Sequence, residues 1–334
     1  MWERNLGPSA ELGLGYRPQS RCVILGHPRI ESVCRQGLEA RMSVRGVVGY
    51  GSAAVFWAAF FILYTLAVQS LGVVLASGLF GVFAGLFLLG LAKIVGREIN
   101  QPPKWNAVLM WAGLGWVIFG AAALAMRTVG AAETAILISS LPLFATVSAQ
   151  MRGDSRVTGI GAISLFLGIT GLVLVALFPV GDASLALMLG AVAGLTAAIT
   201  AGWCGRPLAN RLHETQSVQT VALTAILGGL GLLIVVPFVE LPVVGFPMVT
   251  TIVILALCCA FLALFVLSSA SDDVPRRIAA TLPGIGTVMA VLGGVVFLHE
   301  ALSVVQLIGM ALILASTAML RGLVPRWFPA SRQA

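Results

Sequence analysis

Few side chains in this sequence could do chemistry, and most of those that could lie close to prolines. Glu133 is the one carboxylate placed inside a long apolar stretch, AAETAILISSLPLF. A charged side chain at the centre of a bilayer costs about 2.5–3.5 kcal/mol on insertion scales, and less near the ends. Ser140 follows Glu133 by seven residues and so shares its helical face. Pro142 comes next, and Pro283 occupies a comparable place in the second half of the chain. A proline inside a helix removes an N–H and frees the carbonyl four residues back, here those of Ile138 and Ala279. At membrane depth a freed carbonyl is tolerated where it lines a watery cavity. Two readings follow: Glu133, Ser139, Ser140, Pro142, Thr281, Pro283 and Thr287 line a polar cavity, or the prolines only kink helices that the nearby hydroxyls satisfy. Glu133 reads either as a proton- or cation-binding group of that cavity or as an interfacial carboxylate paired with Arg127.

A second group of residues sits at turns. The stretch from Gly130 to Ala176 and that from Arg277 to Leu320 share one unusual plan. In each, an apolar helix containing a proline is followed by a short polar break, Gly153–Asp154 or His299–Glu300, and then by a glycine-bearing apolar helix. Asp154 and Glu300 each precede a helix start, where the helix dipole favours a carboxylate, so these four residues read as structural turns. Ser303 and Gln306 form a capping-box pattern for the last helix. His299 has the residue type that titrates near neutral pH, but a lone histidine in a loop is usually nothing more. No Walker A loop, dinucleotide-binding glycine fingerprint, H-E-x-x-H or G-x-S-x-G occurs, and Cys22, His27 and Cys34 lack zinc spacing. The expectation is therefore no catalytic residue, no metal and no cofactor.

The elements that must position these residues are membrane helices. Of the 334 residues 59% are hydrophobic and only 10% charged, and the mean hydropathy is +1.01. Soluble domains carry about 25% charged residues, so the composition is that of a membrane protein. Apolar stretches of spanning length fall at 47–67, 71–92, 106–126, 131–151, 157–178, 184–204, 217–239, 248–269, 278–298 and 302–321, with a tight turn at Gln69–Ser70. Every second connection is basic, carrying Lys93, Arg97 and Lys104, then Arg152 and Arg156, then Arg206 and Arg211, then Arg276 and Arg277. The alternate connections hold Arg127 alone. The positive-inside rule then puts both termini in the cytoplasm. It also explains the net charge of +7 without nucleic acid.

The expected fold is thus all-α and integral to the membrane, with about ten transmembrane helices. Ten helices divide into five and five, and an odd number per repeat forces the second copy to insert upside down. The expected divisions are a polar tail over 1–45, five-helix repeats over 46–180 and 181–322, and a cytoplasmic tail over 323–334. Inverted repeats are a recurring architecture of secondary transporters. Small residues such as Gly81, Gly85, Gly171, Gly229, Gly293 and Gly294 should let helices approach closely. Trp57, Trp111 and Trp116 lie deeper than the interfacial tryptophans, where packing or lipid contact competes with substrate stacking. The tail carries seven arginines and no apolar run. Met42 is a plausible start, so residues 1–41 are expected to be dispensable.

The two proline-bearing stretches also resemble the last two helices of the EamA-type repeat of the drug/metabolite transporter superfamily. That resemblance rests on the Pro-hydrophobic step, the Gly-Glu-like turn and the glycine-containing final helix. The second half keeps Glu300 but has His299 where the family usually has Gly, and the first keeps Gly153 but has Asp154 where Glu is usual. The resemblance implies export of small metabolites, amino acids or drug-like compounds, commonly linked to protons, from a plasma or inner membrane. A phosphate-bearing substrate would call for Lys or Arg in the cavity, and no span has one in its middle. The expected partners are the lipid bilayer, a small-molecule substrate and protons, and not nucleic acid. A membrane-embedded enzyme or a non-transporting scaffold are the alternatives; the enzyme would need a second acid, a nucleophile or a metal set beside Glu133.

Overall fold

The computed structural model describes residues 44–94, 105–153, 159–178, 184–213, 218–238, 247, 250–255, 257–258 and 282–320. Within these residues the secondary structure is helical. In chain order the helices are α1 (Val44–Leu71), α2 (Val73–Ile94), α3 (Trp105–Thr128), α4 (Gly130–Ser139), α5 (Leu141–Met151), α6 (Gly159–Leu177), α7 (Leu185–His213), α8 (Val218–Val235), α9 (Leu282–Phe297) and α10 (Val304–Leu320). A short 3₁₀ turn, Val236–Phe238, closes α8. Among the described residues six segments are long and apolar enough to cross a membrane, and shorter apolar helices cover Ala222–Phe238, Gly284–Phe297 and Val304–Leu320. Most of the expected span 248–269 lies outside the described residues, as do the tails over 1–43 and 321–334.

The burial pattern inverts that of a water-soluble protein. On α6 the buried face carries Ser164, Gly168, Gly171, Leu172 and Val175. Its exposed face carries Ile160, Ile163, Phe166, Ile169, Val173 and Leu177. An apolar stripe of that size facing outward would drive association in water. Against lipid it is the ordinary exterior, and the small residues are left to make the helix contacts. The chain is a multi-pass membrane protein.

Three boundaries differ from expectation. α7 runs on to His213, past the expected end at 204. The turn between the first two helices is at Gly72, not at Gln69–Ser70: α1 continues to Leu71, and Gly72 adopts φ +78°. A residue without Cβ takes that backbone conformation at little cost, so the chain reverses there. The fourth expected span is also two helices rather than one, because the helical ladder is interrupted at Ser140 and restarts with Pro142 in the first turn of α5.

The main helix contacts run between the halves of the chain. α2 packs along α8, α6 along α10, α3 against α7 and α8, α1 and α4 against α9, and α5 against α7. At the α6–α10 crossing the backbones touch: a Cβ on Gly171 would lie 2.6 Å from the Gly309 carbonyl, and one on Gly309 would lie 2.7 Å from the Gly171 carbonyl. A buried cluster gathers Phe61, Tyr64, Phe80, Met126, Ile252 and Leu255 around α1. Within it Tyr64 donates to the Ser77 hydroxyl at 2.7 Å.

Candidate functional site

The first turn of α4 is the junction on which the candidate residues converge. Gly130 takes φ +92°, which lets the chain turn from the end of α3 directly into α4. The residue before it, Val129, offers no side-chain cap. The first N–H groups of a helix have no partner within the helix. Here they find one from the opposite end of the chain. The Ala131 N–H donates to Glu300 Oε1 at 2.6 Å, and the Ala132 N–H donates to Glu300 Oε2 at 2.7 Å. Hydrogen bonds to an ionised carboxylate are short and strong, and the helix dipole adds to them.

The turn after α9 aims that carboxylate. The N–H groups of Leu298 and Glu300 both donate to the Gly294 carbonyl, at 3.0 and 3.1 Å. His299 between them adopts φ +54°. The carboxylate then occupies a space cleared by two glycines. A Cβ on Gly130 would lie 2.5 Å from Glu300 Oε1, and one on Gly294 would lie 2.7 Å from Oε2. The expectation that Glu300 favours the helix following it is thus corrected: its side chain caps α4, in the other half.

Glu133 stands on the same turn of α4 and is 5% exposed. Gln306 Nε2 donates to its Oε2 at 2.8 Å. The capping box fixes how Gln306 is oriented. The Ser303 N–H donates to Gln306 Oε1 at 3.0 Å, and the Gln306 N–H donates to Ser303 Oγ at 3.1 Å. With its oxygen engaged by Ser303, the amide presents its NH₂ to Glu133. Glu133 Oε1 is buried without a hydrogen-bond partner among the described residues. Arg127 does not supply one: it is exposed, and its Nη1 is 3.8 Å from where a Cβ on Gly72 would lie. Pairing with Arg127 is therefore replaced by pairing with Gln306.

The hydroxyls beside Pro142 are engaged locally. Ser139 Oγ donates to the Ile136 carbonyl at 2.6 Å, and Ser140 Oγ to the Leu137 carbonyl at 2.5 Å. Both serines are buried. Thr287 is buried on α9, the helix that packs against α1 and α4. Pro283 is the second residue of α9. Gly153 ends the turn after α5 with φ +76°, while Thr281 and Asp154 lie outside the described residues. Trp57 packs against Gly286 and edge-on to Phe61, so its surroundings are those of a packing residue. Gln306 went unrecognised as a site residue. Its capping pattern was legible over three positions, but nothing local links it to a carboxylate 173 positions away.

The profile of the EamA-like transporter family matches twice, over residues 45–177 and 186–322. A comparison with curated proteins finds no match. A solved structure, titled only "Crystal structure of protein", superposes with a TM-score of 0.57 at 19% sequence identity, covering 85% of this chain and 99% of that one. At that identity the likeness speaks for the fold alone. The two family matches together take in most of the sequence, and the chain belongs to the EamA-like transporter family.

Proposed function

We propose that the chain is a secondary transporter exporting small metabolites, amino acids or drug-like compounds by alternating access, with Glu133 as the group that exchanges a proton. One observation carries the reading: the closest-packed pairs among spans described in both halves keep their pairing when the halves are exchanged. With α4 and α5 counted as one span, and 250–255 as part of the eighth, the second span pairs with the seventh, the fourth with the ninth and the fifth with the tenth. The first packs on the ninth as the sixth packs on the fourth. Such a pattern is what a pseudo-two-fold axis between two five-helix repeats produces, and five spans per repeat makes that axis lie in the membrane plane. The two family matches, over 45–177 and 186–322, support reading the chain as two repeats.

The basic connections support a cytoplasmic location for both termini and, with it, an outer-side position for the His299–Glu300 turn in a cell membrane. Glu133 is then about one turn inside the outer end of its span. There it has a buried oxygen open to a proton, with Ser139, Ser140, Pro142 and Thr287 as candidate lining deeper in. The reading is tested by flux of a labelled compound panel through proteoliposomes with and without an imposed pH gradient. Gradient-dependent movement of at least one compound class supports it. Absence of flux for every class, from protein that is folded and inserted, contradicts it.

A further inference from the structure

We infer that the segment from Glu300 to Gln306 is a latch closing the outer end of the molecule between its two halves, with the Glu300 carboxylate as its releasable contact. The inference rests on the alternating-access reading above and names the contact that has to part. Four observations carry it. First, both side-chain contacts reach across the halves: Glu300 to the Ala131 and Ala132 N–H groups, and Gln306 to Glu133. Second, both come from one short segment, in which only Ala301 and Leu302 separate Glu300 from the reciprocal Ser303–Gln306 bonds. The segment therefore engages or leaves α4 as a unit. Third, the cradle is shaped for a carboxylate, since Gly130 and Gly294 leave no Cβ where its oxygens sit.

The fourth observation concerns what could replace the contact. The Gly171–Gly309 crossing has backbone against backbone, and sliding it would open a void that nothing fills. The Glu300 contact is polar and stands at the end of its helices. Water can take over both the released carboxylate and the two released N–H groups there. Opening therefore costs least at the latch, while the close glycine crossing is suited to remain packed as the halves rock. With both N–H bonds made, the latch is engaged in this structure.

The test uses the full chain in proteoliposomes with spin labels on Leu124 and Val304, exposed positions at the outer ends of α3 and α10. A control pair, Leu109 and Ile163, reports within the first half alone. Glu300→Gln keeps the size of the side chain but places an NH₂ against one of the two N–H groups and removes the charge. A hydrogen bond to a charged group is strong enough that its loss should shift the closed-to-open ratio by about tenfold or more. The expected result is a longer Leu124–Val304 separation with the control pair unchanged. Gly130→Ala, whose Cβ takes the space of the carboxylate, should act in the same direction. Unchanged Leu124–Val304 separation in both variants would overturn the latch, as would lengthening of the control pair to the same extent, which signals unfolding. Flux through the same proteoliposomes reports separately on transport, so an intact latch result with no flux implicates the transport reading instead.

Discussion

Gln306 donates its side-chain amide to Glu133 across the two halves of the chain, and the second carboxylate oxygen has no partner among the described residues. The bond is directional because Ser303 holds the amide oxygen. Removing the amide should cost more than an ordinary surface polar group, since it leaves a buried acceptor and the Ser303 N–H both unpaired. Gln306→Leu is expected to destabilise by about 1–3 kcal/mol. Ser303→Ala, which removes only the hydroxyl cap, should cost about 1 kcal/mol. Thermal unfolding in detergent would rank the two, and a larger loss for Ser303→Ala would contradict this accounting.

Glu133→Gln separates proton exchange from anchoring. Glutamine preserves the size of the side chain and an acceptor for Gln306, but it cannot gain or lose a proton. The expected variant is expressed and folded, retains substrate exchange without a gradient, and loses transport driven by a pH gradient. Arg127→Gln should leave gradient-driven transport intact, because Arg127 is exposed and turned toward Gly72. Flux assays on the two variants side by side would check this; equal defects in both would restore the ion pair that the geometry does not contain.

His299 occupies a left-handed backbone conformation at φ +54°. An L-residue pays roughly 1–2 kcal/mol there and glycine does not. His299→Gly should therefore raise thermal stability by about 1 kcal/mol, less the entropy that glycine adds to the unfolded chain. A melting curve would decide, and a drop in stability would mean that the imidazole makes a contact worth more than the strain.

Glycine at a helix crossing and glycine facing open space should behave oppositely. Gly171→Ala and Gly309→Ala each drive a methyl into a facing carbonyl, with an expected loss of about 1–3 kcal/mol. Gly120→Ala meets nothing within 4 Å and should be neutral or stabilising by up to about 1 kcal/mol. The yield of monodisperse protein and its melting temperature would both report the difference.

Much of this architecture was legible in the residues, and the unread part has a common cause. Apolar length and the alternation of Arg and Lys reveal spans because bilayer thickness and membrane charge act on each segment separately. Pro142 marked an interruption for the same reason, although the break falls at Ser140 and its serines bond to carbonyls of their own turn. The Ser303–Gln306 box was legible because both partners lie within one turn. Glu133 with Gln306, and Glu300 with Ala131 and Ala132, were not, because those partners meet only once the helices of both halves have packed. Gly130 and Gly294 illustrate the limit: each looks like any other small residue in an apolar run until the carboxylate between them is seen.

Alternating access rests on the two halves being inserted with opposite orientation, and sided labelling tests that most directly. With Cys22, Cys34, Cys204, Cys258 and Cys259 replaced by serine, single cysteines are introduced at position 154 or at position 299. Each is then exposed to an impermeant maleimide from one side of the membrane at a time. The account predicts labelling at position 154 from the cytoplasmic side and at position 299 from the outer side. Labelling of both positions from the same side would contradict it.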